Sequence, residues 1–225
     1  MTNRWIKTYK SRLIVPLYMV FYLIMFFCLE DRSTYRIHII RSSADYSIPF
    51  CEYFIIPYIL WFFFIALTVL WFMFKNKNEK EYLQLIISLM FGMTIFLFTS
   101  WLFPNGHYLR PRLFPRDNIF TDMVRMLYKV DTSTNILPSI HVYNSVAVCL
   151  AVMRCRYLQK YTFVRIGTCG LTILIVLSTL FLKQHSIIDV VLAFALNFIV
   201  YLIVYYVDDH KVFSKCRSAV RSGMI

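Results

Sequence analysis

Six stretches of this 225-residue chain contain no Asp, Glu, Lys or Arg. They run Leu13–Leu29, Tyr53–Phe74, Tyr82–Leu109, Ile136–Met153, Ile166–Leu182 and Val190–Val207. A helix needs about 17–25 mostly apolar residues to cross the hydrocarbon core of a bilayer, and each run meets that length. None shows the period-two alternation of a membrane barrel strand. The runs therefore predict an all-α polytopic membrane protein, with six transmembrane helices in a single integral membrane domain, 1–225. The third run is longer than a span requires. Pro104-Asn105-Gly106 is a turn signal, so that span is expected to end near Phe103. Arg4, Lys7, Lys10 and Arg12 precede the first run, as they would a signal peptide. Phe27-Cys28-Leu29-Glu30-Asp31 offers no small-residue cleavage site, however, and the segment is read as a retained helix.

Composition agrees. Hydrophobic residues make up 59% and charged residues 16%, against roughly 45–50% and 25% in soluble domains. That excludes disorder, collagen-like repeats, a coiled coil and an ordinary soluble enzyme. The net charge of +12 raises nucleic acid as a partner, but the positions of the charges explain it otherwise. Segments 1–12, 75–81, 154–165 and 208–225 hold 15 basic and 4 acidic residues; the opposite set holds 9 basic and 8 acidic. Lys and Arg favour cytoplasmic loops, so both termini are expected in the cytoplasm, where anionic lipid attracts the excess. No nucleic acid partner is needed. The six cysteines form no C-x-x-C pair and read as small buried hydrophobes, with Cys28–Cys51 the one conceivable disulfide. Residues 30–52 carry no clear pattern. In 104–135, Ile119, Met123, Met126, Leu127 and Val130 recur at helical spacing and predict a short amphipathic helix at the interface.

Two of the five histidines fall where chemistry is plausible. His141 ends Leu137-Pro138-Ser139-Ile140-His141 at the start of the fourth run. His185 lies in Lys183-Gln184-His185-Ser186-Ile187-Ile188-Asp189, between the fifth and sixth. The predicted topology puts both at the outer face. His185 and Asp189 share one helical face. A carboxylate on one ring nitrogen fixes the tautomer and leaves the other nitrogen more nucleophilic. Such a pair at a membrane boundary is costly without a purpose; a polar cap on a helix pair is the plainer alternative. Pro138 suits a first helical turn. The N–H groups around Ser139 and Ile140 would then face outward, as at an anion-binding helix terminus. Arg110, Arg112 and Arg116 precede them, stiffened by Pro111 and Pro115. Arginine forks match phosphate, although a solvated basic loop near lipid headgroups would look the same. No metal-ligand spacing, P-loop or dinucleotide fingerprint is present. His38, His107 and His210 have no obvious partner and receive structural or solvent roles.

Arg110-Pro111, Pro138-Ser139-Ile140-His141 and Ser178 through His185 to Asp189 together resemble the three motifs of the type 2 phosphatidic acid phosphatase (lipid phosphate phosphatase) superfamily: K-x6-R-P, P-S-G-H and S-R-x5-H-x3-D. Motif order, spacing and six-span topology fit, with the motif-bearing core at about 104–207. The resemblance implies that His185 attacks phosphorus and becomes a phosphohistidine. Asp189 would orient it, and His141 would protonate the leaving oxygen. Arg110, Ser139 and the Ile140 backbone would hold the phosphoryl oxygens. The family generally works without a metal, so no cofactor is expected. The chain departs from the pattern at Phe103 for Lys, Ile140 for Gly and Thr179 for Arg. Lys183, and Arg112 or Arg116, are the candidates to replace the missing cations. The K-Q-H-x-x-x-D and P-S-[IL]-H forms look more like a divergent branch that includes sphingomyelin- and inositol-phosphorylceramide synthase-like phosphotransferases.

The expectation is thus a multi-pass plasma-membrane protein that takes a lipid phosphate or diphosphate at its outer face and hydrolyses it. Phosphatidate-like lipids, phosphatidylglycerophosphate and polyprenyl diphosphate are the candidate substrates. Two alternatives stay open: transfer of a headgroup to a lipid alcohol, and a non-catalytic lipid-binding member of the same fold. Compact size and the lack of targeting additions favour a bacterial membrane.

Overall fold

The computed structural model describes residues 2–32 and 37–206, with side chains from residue 12. His210, Cys216 and the basic residues after 207 lie outside the described residues. The described chain is mostly helical. Its helices are α1 (Thr2–Glu30), α2 (Ile55–Phe74), α3 (Glu79–Leu102), α4 (Ile119–Val130), α5 (Ile140–Arg154), α6 (Thr162–Phe181) and α7 (Ile187–Tyr201), the last running into a π-helical turn, Leu202–Tyr206. Four of them start at side-chain caps. Asn78, Asn118, Ser139 and Ser186 each accept a hydrogen bond from an amide of the first turn, satisfying donors the helix itself leaves unpaired.

Among the described residues, five segments are long and apolar enough to cross a membrane: Arg12–Glu30, Glu52–Phe74, Glu79–Leu102, Thr162–Phe181 and Ile187–Tyr206. The fourth apolar run behaves differently. It forms only the 15-residue α5, about 22 Å long against a hydrocarbon core of about 30 Å. The reason is its position. α5 packs against α2, α3, α6 and α7, so protein rather than lipid surrounds it. The bonds that tie it to its neighbours include those from Tyr143 Oη to the Ser88 carbonyl (2.7 Å), from Thr172 Oγ1 to the Ser145 carbonyl (3.5 Å) and from Asn197 Nδ2 to the Tyr143 carbonyl (3.1 Å). Interhelical polar bonds of this kind hold bundles together where lipid leaves no hydrophobic drive between helices. Val142, Tyr143 and Val148 are fully buried. α1 is peripheral: it packs along α3 and leaves Leu17, Val20, Phe21, Ile24 and Phe27 exposed, as a lipid-facing helix does.

At one end of the bundle α1, α3 and α6 finish while α2, α5 and α7 begin. The segment before α2 forms β1 (His38–Ile39) and two short 3-10 turns, Ser43–Tyr46 and Glu52–Phe54. β1 pairs in parallel with β2 (Asn105–Gly106), a small addition to the all-helical expectation. Gly106 also bridges to Thr134. A Cβ there would lie 2.7 Å from the Ser133 carbonyl, so the close approach requires glycine. The expected helix at 119–130 forms, but its apolar stripe divides. Val124, Met123 and Leu127 pack with Ile55, Tyr58 and Leu182, whereas Ile119, Met126 and Val130 are exposed. The cysteines also depart from the buried-hydrophobe reading. Cys155 is buried, but Cys28 is exposed; Cys51, Cys149 and Cys169 are half-buried. Cys28 and Cys51 are both free thiols, so the conceivable disulfide is absent.

α3 approaches α5 at Gly92, where a Cβ would sit 1.9 Å from the Tyr143 ring. Gly92→Ala should therefore cost about 1–3 kcal/mol through overpacking. A lowered thermal midpoint in detergent micelles is expected; an unchanged midpoint would show that the α3–α5 contact yields freely.

Candidate active site

The start of α5 is prepared by the preceding loop. Asn105 Oδ1 accepts from the amides of Ile136 and Leu137 (2.9 and 3.0 Å), which directs the chain into the cis Leu137–Pro138 bond. Ser139 caps α5 through the Val142 amide, and its own N–H reaches the Asp189 carbonyl at 3.4 Å. The Ser139 amide is thus committed inside the protein, not turned outward as the spacing suggested. Ile140 and His141 follow in the first turn. His141 is 8% exposed and lies between two aromatic rings of α2, with centroids 4.6 Å away at Tyr58 and 4.3 Å away at Trp61. Its Nδ1 has no hydrogen-bond partner.

His185 comes from the turn joining α6 to α7. Lys183 takes a left-handed conformation (φ 53°), uncommon for a residue with a Cβ. The amides of Gln184 and His185 then fold back onto the Thr179 carbonyl (2.9 and 3.1 Å). Thr179, which stands where the resembled motif has Arg, therefore serves the turn through its backbone. Ser186 caps α7 in a capping box with Asp189. Asp189 Oδ2 accepts from the Ser186 amide at 2.8 Å and lies 3.4 Å from His185 Nδ1. The carboxylate is fully buried and its Oδ1 has no partner. A proton on Nδ1 facing the carboxylate leaves the Nε2 lone pair available. His141 and His185 face each other with ring centroids 5.7 Å apart. The structure therefore brings His141, His185 and Asp189 together from two separate stretches of chain.

The expected phosphate-binding cations are placed differently. Arg110 donates to the carbonyls of Tyr128 (3.2 Å), Asp131 (2.6 Å) and Thr132 (2.8 Å) and to Gln184 Oε1 (2.5 Å), with its guanidinium over the Tyr128 ring at 4.3 Å. Burial lowers its pKa, and Asp131 offsets part of that. Arg110 thus borders the His185 turn, but through Gln184. Lys183 Nζ donates to the carbonyls of Asp45 (2.7 Å) and Ile48 (2.5 Å); burial lowers its pKa against the pull of the Asp45 carboxylate. Arg116 is exposed and pairs with Glu52 at 3.2 Å, and Arg112 is exposed. Neither loop arginine is joined to the histidines, and Lys183 is turned to backbone oxygens. The substitution of these residues for the missing motif cations is therefore not what the bonding pattern displays. Among the described residues no group of three or more His, Cys, Asp or Glu could hold a metal ion.

His107, given no partner in the sequence reading, has two. Its Nδ1 accepts from the Leu109 amide (3.1 Å), so Nε2 carries the hydrogen and donates to the Gln184 carbonyl (2.7 Å). It fixes the residue before His185. His38 is exposed and stacks on Phe103 at 4.1 Å. Four contributors were missed: Tyr58, Trp61, Gln184 and Asp45. Gln184 stood inside the K-Q-H form without a role of its own, and Asp45 had a local signal in the S-x-x-D pattern of Ser42–Asp45, which forms a capping box like that of Ser186–Asp189. The chain matches no protein-family model, no curated protein and no solved structure.

Burial pushes the His107 pKa down to about 4 from 6.5. Between those values the unfolded chain binds a proton that the folded chain refuses, so stability falls as pH falls through that window. The full loss is about 3 kcal/mol. The thermal midpoint in micelles should drop over this range in wild type and less steeply in His107→Gln; equal slopes would remove His107 as the cause.

Proposed function

We propose that this chain is a six-span membrane phosphatase acting on lipid phosphates or diphosphates through a phosphohistidine, without a metal. In this reading α5 is the sixth span, short because it is enclosed by the others. Both termini are cytoplasmic, the histidine pair faces outward, and a bacterial plasma membrane is the setting. The observation that carries the proposal is the meeting of His141 and His185 with the Asp189 carboxylate behind one of them. The motif resemblance assigns the same three residues to phosphoryl transfer.

The steps are as follows. His185 Nε2 attacks phosphorus as the bond to the lipid oxygen breaks, and protonated His141 gives its proton to that oxygen. Asp189 holds the Nδ1 proton and balances the charge on the phosphorylated ring. A water, losing its proton to His141, then attacks phosphorus; the P–N bond breaks and inorganic phosphate leaves. Positioning and charge stabilisation supply most of the rate in such transfers. Helix α5 itself offers no acceptor for the Ile140 and His141 amides at its start, and these fit a phosphoryl oxygen. Arg110 fits as a cation bordering the site, anchoring Gln184 beside the nucleophile.

The aromatic walls around His141 favour a second reading on the same residues. A water-poor site suits a lipid alcohol as acceptor, which would make the protein a headgroup phosphotransferase.

Phosphate release from phosphatidate, phosphatidylglycerophosphate and polyprenyl diphosphate in micelles containing EDTA tests the first reading. Wild type should be active with a bell-shaped pH profile. His185→Ala and His141→Ala should lose about 10²–10⁴-fold or more. Full activity in His185→Ala would sink the mechanism. A wild type silent with water but active with an added lipid alcohol would establish transfer, and silence in both would leave a non-catalytic lipid-binding protein.

A further inference from the structure

The turn that carries His185 is gripped from outside the resembled motifs. Asp45 sits in the 3-10 turn Ser43–Tyr46, between α1 and α2, and is 2% exposed. Its Oδ2 accepts from the Ser42 amide at 2.6 Å and from Ser186 Oγ at 2.7 Å; its Oδ1 accepts from the Ile187 amide at 2.8 Å. Its carbonyl takes the Lys183 ammonium at 2.7 Å, together with Ile48. One residue thus holds the chain on both sides of His185. Two capping boxes, Ser42–Asp45 and Ser186–Asp189, interlock at Ser186, whose hydroxyl goes to Asp45 while its amide goes to Asp189. The opposite side of the turn is held by His107 on the Gln184 carbonyl and Arg110 on the Gln184 side chain. Among the described residues the His185 ring itself makes one hydrogen bond, with Asp189.

A buried carboxylate accepting only neutral donors is expensive. Lys183 accounts for its retention here: its ammonium reaches the carbonyl of the same residue and lies near the carboxylate. This also gives Lys183 an occupation in place of the missing motif cation. We propose that Asp45 is a positioning residue for His185, clamping residues 183–187 so that the imidazole meets Asp189 and His141 in one geometry. Lys183 is the second half of that clamp. The catalytic consequence rests on the phosphoryl-transfer reading above; the clamp itself does not. Asp45 touches no reacting atom in this account. Its loss acts through the placement of His185, and misplacement by about 1 Å costs about 10²-fold in turnover.

The test combines hydrogen exchange with kinetics on full-length protein in micelles. In wild type the amides of Ser42, Ser186 and Ile187 should exchange as slowly as those within α5; rapid, loop-like exchange there would overturn the clamp without any variant. Asp45→Asn keeps the shape of the side chain and so guards against a misfolded Asp45→Ala. Both should speed exchange across 182–190 by about tenfold or more, with α3, α5 and α6 unchanged. Turnover of a lipid phosphate should fall about ten- to hundredfold with KM unmoved, and Ser186→Ala added to Asp45→Ala should cost less than the two single losses combined, because the two share the Ser186–Asp45 bond although Ser186 also caps α7. Uniform loosening of every helix would reduce Asp45 to a general fold role and overturn the proposal. So would a loosened turn with unchanged turnover. If exchange changes as described but wild type hydrolyses no lipid phosphate, the clamp stands and the phosphatase reading falls.

Discussion

The Asp189 carboxylate is fully buried at the first turn of α7, and the candidate site is organised around the contacts of its Oδ2 oxygen. An ionisable group in so apolar a bundle must be hydrogen-bonded or paired. The positive end of the helix dipole favours it there, and the Ser186 amide and the His185 ring supply its contacts. For Ser186 to stand at the cap, α6 must end five residues earlier, at Phe181, and the chain must reverse through the left-handed Lys183 onto the Thr179 carbonyl. The same reversal that gives Asp189 Oδ2 its two contacts is what points His185 at His141.

Around this centre the protein uses its polar groups on itself. Arg110 and Lys183 are given mostly to backbone oxygens, His107 to the Gln184 carbonyl, Asp45 to Ser186 and Ile187. Loops from before α2 and before α4 thus hold a turn that follows α6. The consequence is rigidity around one imidazole that has few bonds of its own. Preorganisation of this kind is what the proposed phosphoryl transfer would ask of the protein. It also accounts for the short, enclosed α5, which carries the opposing histidine on a helix held by its neighbours through Tyr143, Ser145 and Asn197.

Several features were readable from local pattern. Runs without charge marked the long helices, because lipid tolerates few ionised side chains. Helical periodicity marked 119–130, and the four-residue spacing marked the His185–Asp189 face. Other features were not readable, because they depend on residues far apart. Nothing near Tyr58 or Trp61 announces that they enclose His141. Lys183 and Arg116 look like free cations until Asp45, Ile48 and Glu52 are brought beside them. The length of α5 was overestimated because an apolar run looks the same whether lipid or protein surrounds it.

The sequence by itself determined the class of molecule: a multi-helix membrane chain with a histidine–carboxylate pair at the end of a helix. Those properties follow from composition and spacings within a turn or two. Tertiary structure decided which polar groups face one another. It set His141 5.7 Å from His185, committed the basic side chains to backbone carbonyls and brought Asp45 across from the loop before α2. Those outcomes depend on which helix ends share one end of the bundle, and hydrogen bonds between distant segments leave no periodic trace in a chain.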